Sequence, residues 1–322
     1  MSPLLRRFLF LCGSVFAIVT FNFFLFHVIP GDPIRLIARS QRLTPESVAH
    51  LRELYGLDGS LLTQYVDYLK NLLHGDLGYS YSLQEDVSAV VGRALANTLL
   101  LLTFSTLIVV VVGVAIGVFA GSRVGKKSDS VTVVGSLVLW SLPTFWVGML
   151  LLFTFGVWIG HLPISGITTP NAIYPNVFVL ISDVARHLIL PTLTLAMVDI
   201  AFFIIITRTS LVEVSGEDYM LTARGKGLSR RTIVWRHGVR NALLPVVTAS
   251  VLYVSALVAG AIQVEVVFSW PGMGLLTYNA VLARDYPVLE ACFLIISVAV
   301  LVANFLSDLV YSRLDPRVGL AA

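Results

Sequence analysis

Six long, predominantly apolar runs set the terms for this chain: residues 8–29, 99–121, 131–159, 188–207, 245–267 and 288–311. A helix rising 1.5 Å per residue needs about 20 apolar residues to cross roughly 30 Å of hydrocarbon. Each run reaches that length. Inside a bilayer only helices and closed barrels satisfy every backbone polar group, and runs this long suit helices. The expected fold is therefore all-α: a polytopic membrane protein with six transmembrane helices. Composition agrees, with 57% hydrophobic and 13% charged residues against about a quarter charged in soluble domains. That balance excludes a disordered chain and argues against a soluble globular enzyme. Cys12 and Cys292 lie in or beside apolar runs and cannot be read as a disulfide framework. The first run follows Arg6 and Arg7 as a signal peptide would. It is too long for one and no small-residue cleavage site follows, so it is read as a retained helix. The short patch 177–181 cannot span and is placed at the interface.

Basic residues give the orientation. With the N-terminus cytoplasmic, the inner segments hold 14 of the 22 lysines and arginines, while acids prevail in the outer segments. This positive-inside pattern puts both termini in the cytoplasm. The net charge of +3 is small and gives no sign of a nucleic-acid partner.

The loops differ in kind. In the outer segment before residue 99, Thr44-Pro45-Glu46 reads as a helix cap, first-turn proline and first-turn acid, and Gly56 as its stop. A second amphipathic helix is expected at 61–73, ending at His74-Gly75. These helices should lie on the membrane surface or cap the bundle. Loop 160–187 is rich in Pro, Gly and Asn and reads as turns. Trp270-Pro271-Gly272 reads as an interfacial anchor ahead of a short re-entrant or surface helix. The inner loop 208–244 carries seven basic residues and reads as helical in two pieces. The first runs over 213–226 with a weak point at Ser215-Gly216, Gly227 makes a break, and Ser229 caps a second helix starting at Arg230. Ala223, Gly225 and Gly227 would let another protein approach closely. The loop is either a solvated or lipid-binding basic stretch or a docking element for a cytoplasmic partner.

Chemistry-bearing motifs are lacking. Gly121 to Lys127 only approaches a phosphate-binding loop: one residue is missing between the glycines and no Ser or Thr follows Lys126. Neither a His-Glu-x-x-His pair nor a Gly-x-Ser-x-Gly elbow occurs. The chain is read as no enzyme, with no cofactor or metal of its own. Three features suit a moving bundle. Gly113, Gly117 and Gly121 line one helix face and allow a close crossing. Pro143 should kink the third span. Asp199 and Glu265 lie inside apolar runs, where an acid is costly unless it faces a cavity or a partner. Both, together with Pro143, are assigned to a pathway or subunit-interface position.

One stretch carries a family likeness. Tyr219-Met-Leu-Thr-Ala-Arg-Gly-Lys-Gly227, followed after 17 residues by Pro245, resembles the coupling-loop signature of ABC importer permeases. It is most similar to the B-type subunit of the dipeptide/oligopeptide/nickel branch. The general motif, Glu-Ala-Ala, three residues, then Gly, falls on Leu221, Thr222, Ala223 and Gly227, without the glutamate. Pro30-Gly-Asp-Pro33, Tyr55-Gly-Leu-Asp58, Gly75-Asp-Leu-Gly78, Ser141-Leu-Pro143, Leu190-Pro-Thr192, Trp270-Pro-Gly-Met-Gly274, Arg284-Asp-Tyr286 and Leu314-Asp-Pro-Arg317 extend the likeness along nearly the whole chain.

The resemblance implies type I ABC importer permease architecture in the cell (inner) membrane. The expected partners are a second homologous permease, two cytoplasmic ATPase subunits and an extracytoplasmic binding protein. ATP and Mg would be bound by the ATPases. Residues 216–229 would form the coupling helix, with Tyr219, Leu221, Thr222, Ala223, Arg224, Lys226 and Gly227 as its contact residues. Expected substrates are di- or oligopeptides, with nickel chelates or oligosaccharides as alternatives, and a stand-alone secondary transporter as the rival class. The chain then divides into 1–30 (cytoplasmic end and first span), 31–98 (extracytoplasmic helical segment), 99–311 (permease core with coupling loop 208–244) and 312–322 (cytoplasmic tail).

Overall fold

The computed structural model describes residues 3–28, 44, 59–80 and 82–314. The helix expected after Thr44 and the tail from residue 315 lie outside the described residues. The chain divides into two compact units, Met1–Thr98 with Pro271–Leu301, and Leu99–Trp270 with Val302–Ala322.

In the first unit, α1 (Pro3–Val28) carries α2 (Leu61–Leu73) on its side. Ser60 caps α2 by accepting the Thr63 N–H at 3.2 Å. After His74 the chain turns through Gly75 at φ +76°, where a side chain would be strained. The Tyr65 and Tyr68 rings sit 5.1 and 5.4 Å from Phe23, and Tyr65 shares a 2.7 Å hydrogen bond with Thr20. No residue of α2 is buried, so it covers α1 without building a core. Burial of its tip pushes the Tyr68 hydroxyl up to about 12.

A two-residue hairpin, β1 (Tyr79–Ser80) against β2 (Glu85–Asp86), precedes α3 (Val87–Gly121). It is held by Asp285, which accepts Ser80 Oγ at 2.6 Å and also Ser82 Oγ. Arg93 grips Glu85 with both guanidinium branches and holds its carboxyl below the usual carboxylate range. The first turns of α3 pack Val87, Val91 and Ala94 against Met273 and Ala280 of α11 (Met273–Ala283) and Val288 and Cys292 of α12 (Tyr286–Leu314).

The second unit holds the rest of α3, α4 (Lys127–Ser141), α5 (Thr144–Leu151) continued by a π-helical stretch Leu152–Trp158, and α6 (Val177–Ser215). The short α7 (Asp218–Gly225) follows. Then come α8 (Arg230–Thr232), a π-helical stretch Ile233–Val239, α9 (Arg240–Gly260) and α10 (Ile262–Val267). The glycine face does what its spacing predicts. A Cβ on Gly113 would stand 2.6 Å from Phe203 Cβ, and one on Gly117 2.6 Å from Thr207 Cβ. So α3 and α6 cross in backbone-close contact.

Among the described residues four helices are long and apolar enough to cross a membrane, and a fifth if α4 and α5 count as one bent span. The 21 residues of α9 match one more crossing in length. The protein is thus a multi-pass, all-α membrane protein.

Several expectations need correction. Pro143 does not kink a continuous helix. Leu142 and Pro143 are both extended, and α4 and α5 meet at 97°. Proline has no N–H to continue the ladder, and the residue before it avoids helical backbone. The fourth span is not limited to 188–207. α6 runs 39 residues and absorbs the 177–181 patch and the end of the loop read as turns. Asn176 starts it by accepting the Val179 N–H at 3.1 Å. Asp183, a polar residue of that loop, is satisfied from the segment before the helix: it accepts Thr169 N–H at 2.7 Å and Tyr174 Oη–H at 2.6 Å. The 245–267 run is parted after Gly260 into α9 and α10. Trp270 is no interfacial anchor. It is fully buried with Leu101, Leu190, Val264 and Phe268.

Candidate functional site

The single helix expected over 213–226 is divided, because the weak point at Ser215-Gly216 becomes the end of α6. α6 ends at Ser215, Gly216 and Glu217 form the turn, and α7 begins at Asp218. Gly227 takes φ +71°, and Ser229 caps the next helix by accepting Thr232 N–H at 3.3 Å. α7 has Glu217 and Asp218 at its N-terminus and Arg224 and Lys226 at its C-terminus. Each end thereby opposes the helix dipole favourably.

α7 has two faces. Met220 and Ala223 point inward and are buried with Ile233. Below them, Gly238 lets Leu211 and Met220 close in: a Cβ there would be 3.0 Å from Leu211 Cδ1 and 3.5 Å from Met220 Cε. The outer face presents Tyr219, Leu221, Thr222, Arg224, Lys226 and Gly227, all exposed. Two outer residues are tethered at their base. Asn241 Nδ2 donates to Tyr219 Oη at 2.9 Å, and Arg224 Nη2 donates to the Ser215 carbonyl at 3.4 Å. The result is a short helix braced from below with a mixed apolar and basic surface turned outward. Ala223, expected to permit approach by another protein, instead seats α7 on its own chain. Its small size lets α7 lie close to Ile233. A Cβ on Gly227 would meet nothing within 4 Å, so that glycine serves the left-handed turn.

The membrane-embedded candidates lie elsewhere in the same unit. Asp199, on α6, accepts the Tyr253 hydroxyl of α9 at 2.6 Å, and Tyr253 meets Phe203 edge to face at 5.2 Å. Glu265, on α10, is fully buried, and its carbonyl accepts the Trp270 N–H at 2.8 Å. Pro143 starts α5 at the right-angle break. These three are not brought together with α7.

The run 288–311 holds two further acids, Glu290 and Asp308. Glu290 sits in the first turns of α12, in the first unit, with Oε1 buried and no hydrogen-bond partner among the described residues. Asn22 of α1 donates to its backbone carbonyl at 3.1 Å. Its position three residues into the run 288–311 was the available signal. Among the described residues no cluster of three His, Cys, Asp or Glu is placed to hold a metal.

Comparison with known proteins agrees with this architecture. Residues 113–320 match the family described as "Binding-protein-dependent transport system inner membrane component". Residues 1–103 match its N-terminal companion, "Binding-prot-dependent transport system membrane comp, N-term". The di/tripeptide transport system permease protein of Pseudomonas aeruginosa is 35% identical over 331 residues, covering 99% of this chain and 98% of that protein. The oligopeptide transport system permease protein of Bacillus subtilis is 34% identical over 316 residues, covering 98% of each. The glutathione transport system permease protein of Escherichia coli is 35% identical over 318 residues, covering 99% of each. A solved structure titled "Crystal structure of an amino acid ABC transporter with histidines" superposes with a TM-score of 0.53 at 16% identity. It covers 70% of this chain and 94% of that one, a likeness of fold alone. With the family matched across most of its length and its helices accounted for, the chain belongs to the binding-protein-dependent transport system inner membrane components.

Proposed function

We propose that the chain is the permease subunit of an ATP-driven importer of di- or oligopeptides, forming half of the translocation pathway. The observation that carries this reading is α7: a short helix locked from beneath by Met220 and Ala223, with its other face turned outward. A helix so braced transmits force from a docked partner without first reorganising. Full-length similarity to permeases named for di/tripeptide, oligopeptide and glutathione transport supports the substrate class.

In this reading α7 docks on a cytoplasmic ATPase through Tyr219, Leu221, Thr222, Arg224 and Lys226. Both termini lie in the cytoplasm. A second permease completes the pathway, a binding protein delivers the peptide from outside, and ATP with Mg is bound and hydrolysed on the two ATPase subunits. Alternating access needs two global states and a contact that differs between them. α7 supplies that contact. Asp199 and Glu265 take pathway or subunit-interface positions, since intramembrane carboxylates persist where they serve a path or a partner. Neutral substitutions at both should lower transport. Unchanged transport would remove that role.

The test is capture of the tagged chain from its native membrane. Co-recovery of a second permease, two ATPases and a peptide-binding protein is expected. A chain recovered alone, and active in vesicles without ATP, would overturn the reading.

A further inference from the structure

The turn between α3 and α4 is fastened to the block that bears α7. Arg208 of α6 donates to Asp129 of α4 through both branches, Nε to Oδ1 at 2.6 Å and Nη2 to Oδ2 at 2.8 Å. Asp129 is 4% exposed and also accepts the Gly125 N–H at 3.3 Å. From the other side, Arg230 of α8 donates to the Ser122 carbonyl at 2.5 Å. Between these ties, Val118 of α3, Leu211 of α6, and Val239 and Ala242 of the following segment form one buried cluster. Leu211 lies against the same Gly238 that Met220 of α7 approaches. The apolar contacts hold α3, α6 and α7 to one block. That cluster does not include α4, which lies along α6 and is tied to it at this end by the charged pair of Asp129 and Arg208.

The far end of α4 is built differently. It stops at Ser141, and two extended residues, Leu142 and Pro143, lead into α5 at 97°. Two residues without a continuing helical ladder concentrate any change in backbone angle there.

We propose that Asp129 and Arg208 are positioning residues of the transport cycle: their bidentate pair makes α4 travel with α7, while the Leu142–Pro143 break absorbs the motion. A bidentate arginine–carboxylate pair fixes direction as well as distance, which suits this task. The proposal rests on the docking role given to α7 above.

The test uses the complex captured with the full chain and returned to vesicles. Uptake of a mixture of tritiated di- and tripeptides is measured together with ATP hydrolysis. The informative variant is the double Asp129→Asn with Arg208→Gln, which removes the pair without leaving a buried charge alone. Assembly at wild-type level is expected, with continued ATP hydrolysis and about a tenfold fall in peptide moved per ATP, within the range of ordinary coupling effects. Arg208→Lys keeps the charge but loses the fork, and should give an intermediate ratio. A purely structural pair would change the amount of complex and leave the ratio alone. A wild-type ratio in whatever fraction of these variants assembles overturns the clamp. Failure of the wild-type complex to transport with ATP would instead overturn the importer reading, and the clamp with it.

Discussion

The α3–α6 crossing and the α4–α5 junction are opposite solutions to building a bundle from apolar helices. In the first, three glycines remove side chains from one helix, and backbone meets backbone over two turns. In the second, one proline ends a helix and the chain departs at 97°. Both residue types are poor helix formers in water. Here one welds two helices together and the other separates two. The difference lies in what surrounds them. Glycine within a helix leaves the ladder intact and opens room for a neighbour. Proline after an extended residue leaves the ladder nothing to continue.

The comparison can be broken most severely at the weld. Gly117→Leu would bring its Cβ to 2.6 Å from Thr207 Cβ and 2.8 Å from the Ile204 carbonyl, which is backbone and cannot swing aside. A loss of more than about 3 kcal/mol is expected, at the upper end of overpacking effects, read as vanishing protein in the membrane fraction. Met220→Ala empties the seat under α7 and should destabilise that seat by about 2–4 kcal/mol. Amide exchange at residues 218–225 would report it, while α3 and α6 stay protected. Gly227→Ala tests a glycine of the other kind. Its Cβ meets nothing, so only the φ of +71° opposes it, for about 1–2 kcal/mol in thermal unfolding. Pro143→Ala should shift stability by less than about 1 kcal/mol yet slow transport several-fold, because the break becomes less sharply localised. Equal effects of Gly117→Leu and Gly227→Ala on protein yield would erase the distinction between packing and backbone roles.

Much of this was legible in the sequence, where the signal is local. Gly75, Gly227 and Ser229 mark helix ends by their own backbone and side-chain chemistry, and the structure places ends at each, while Gly216, expected only as a weak point within a helix, ends α6. The four-residue glycine spacing named a crossing face without naming its partner. What escaped depends on residues distant in the chain. Asp183 reads as loop until Thr169 and Tyr174 are seen to satisfy it. Trp270 reads as interfacial until Phe268 and Leu101 enclose it. Ala223 reads as a docking surface until Met220 and Ile233 show which way it turns. The two faces of α7 were half legible: the sequence marks the segment, but which residues point outward is set by the platform beneath.

The enclosure of Trp270 has a spectroscopic consequence. The protein has five tryptophans. Four of them, Trp140, Trp146, Trp158 and Trp235, are 44–78% open on the chain, while Trp270 has no accessible surface. Brominated lipid and aqueous acrylamide should together quench the emission of the open four and leave a blue-shifted residue of fluorescence from the fifth. That remnant light is a built-in gauge: it would fade whenever the packing around Phe268 and Trp270 loosens, with no label attached.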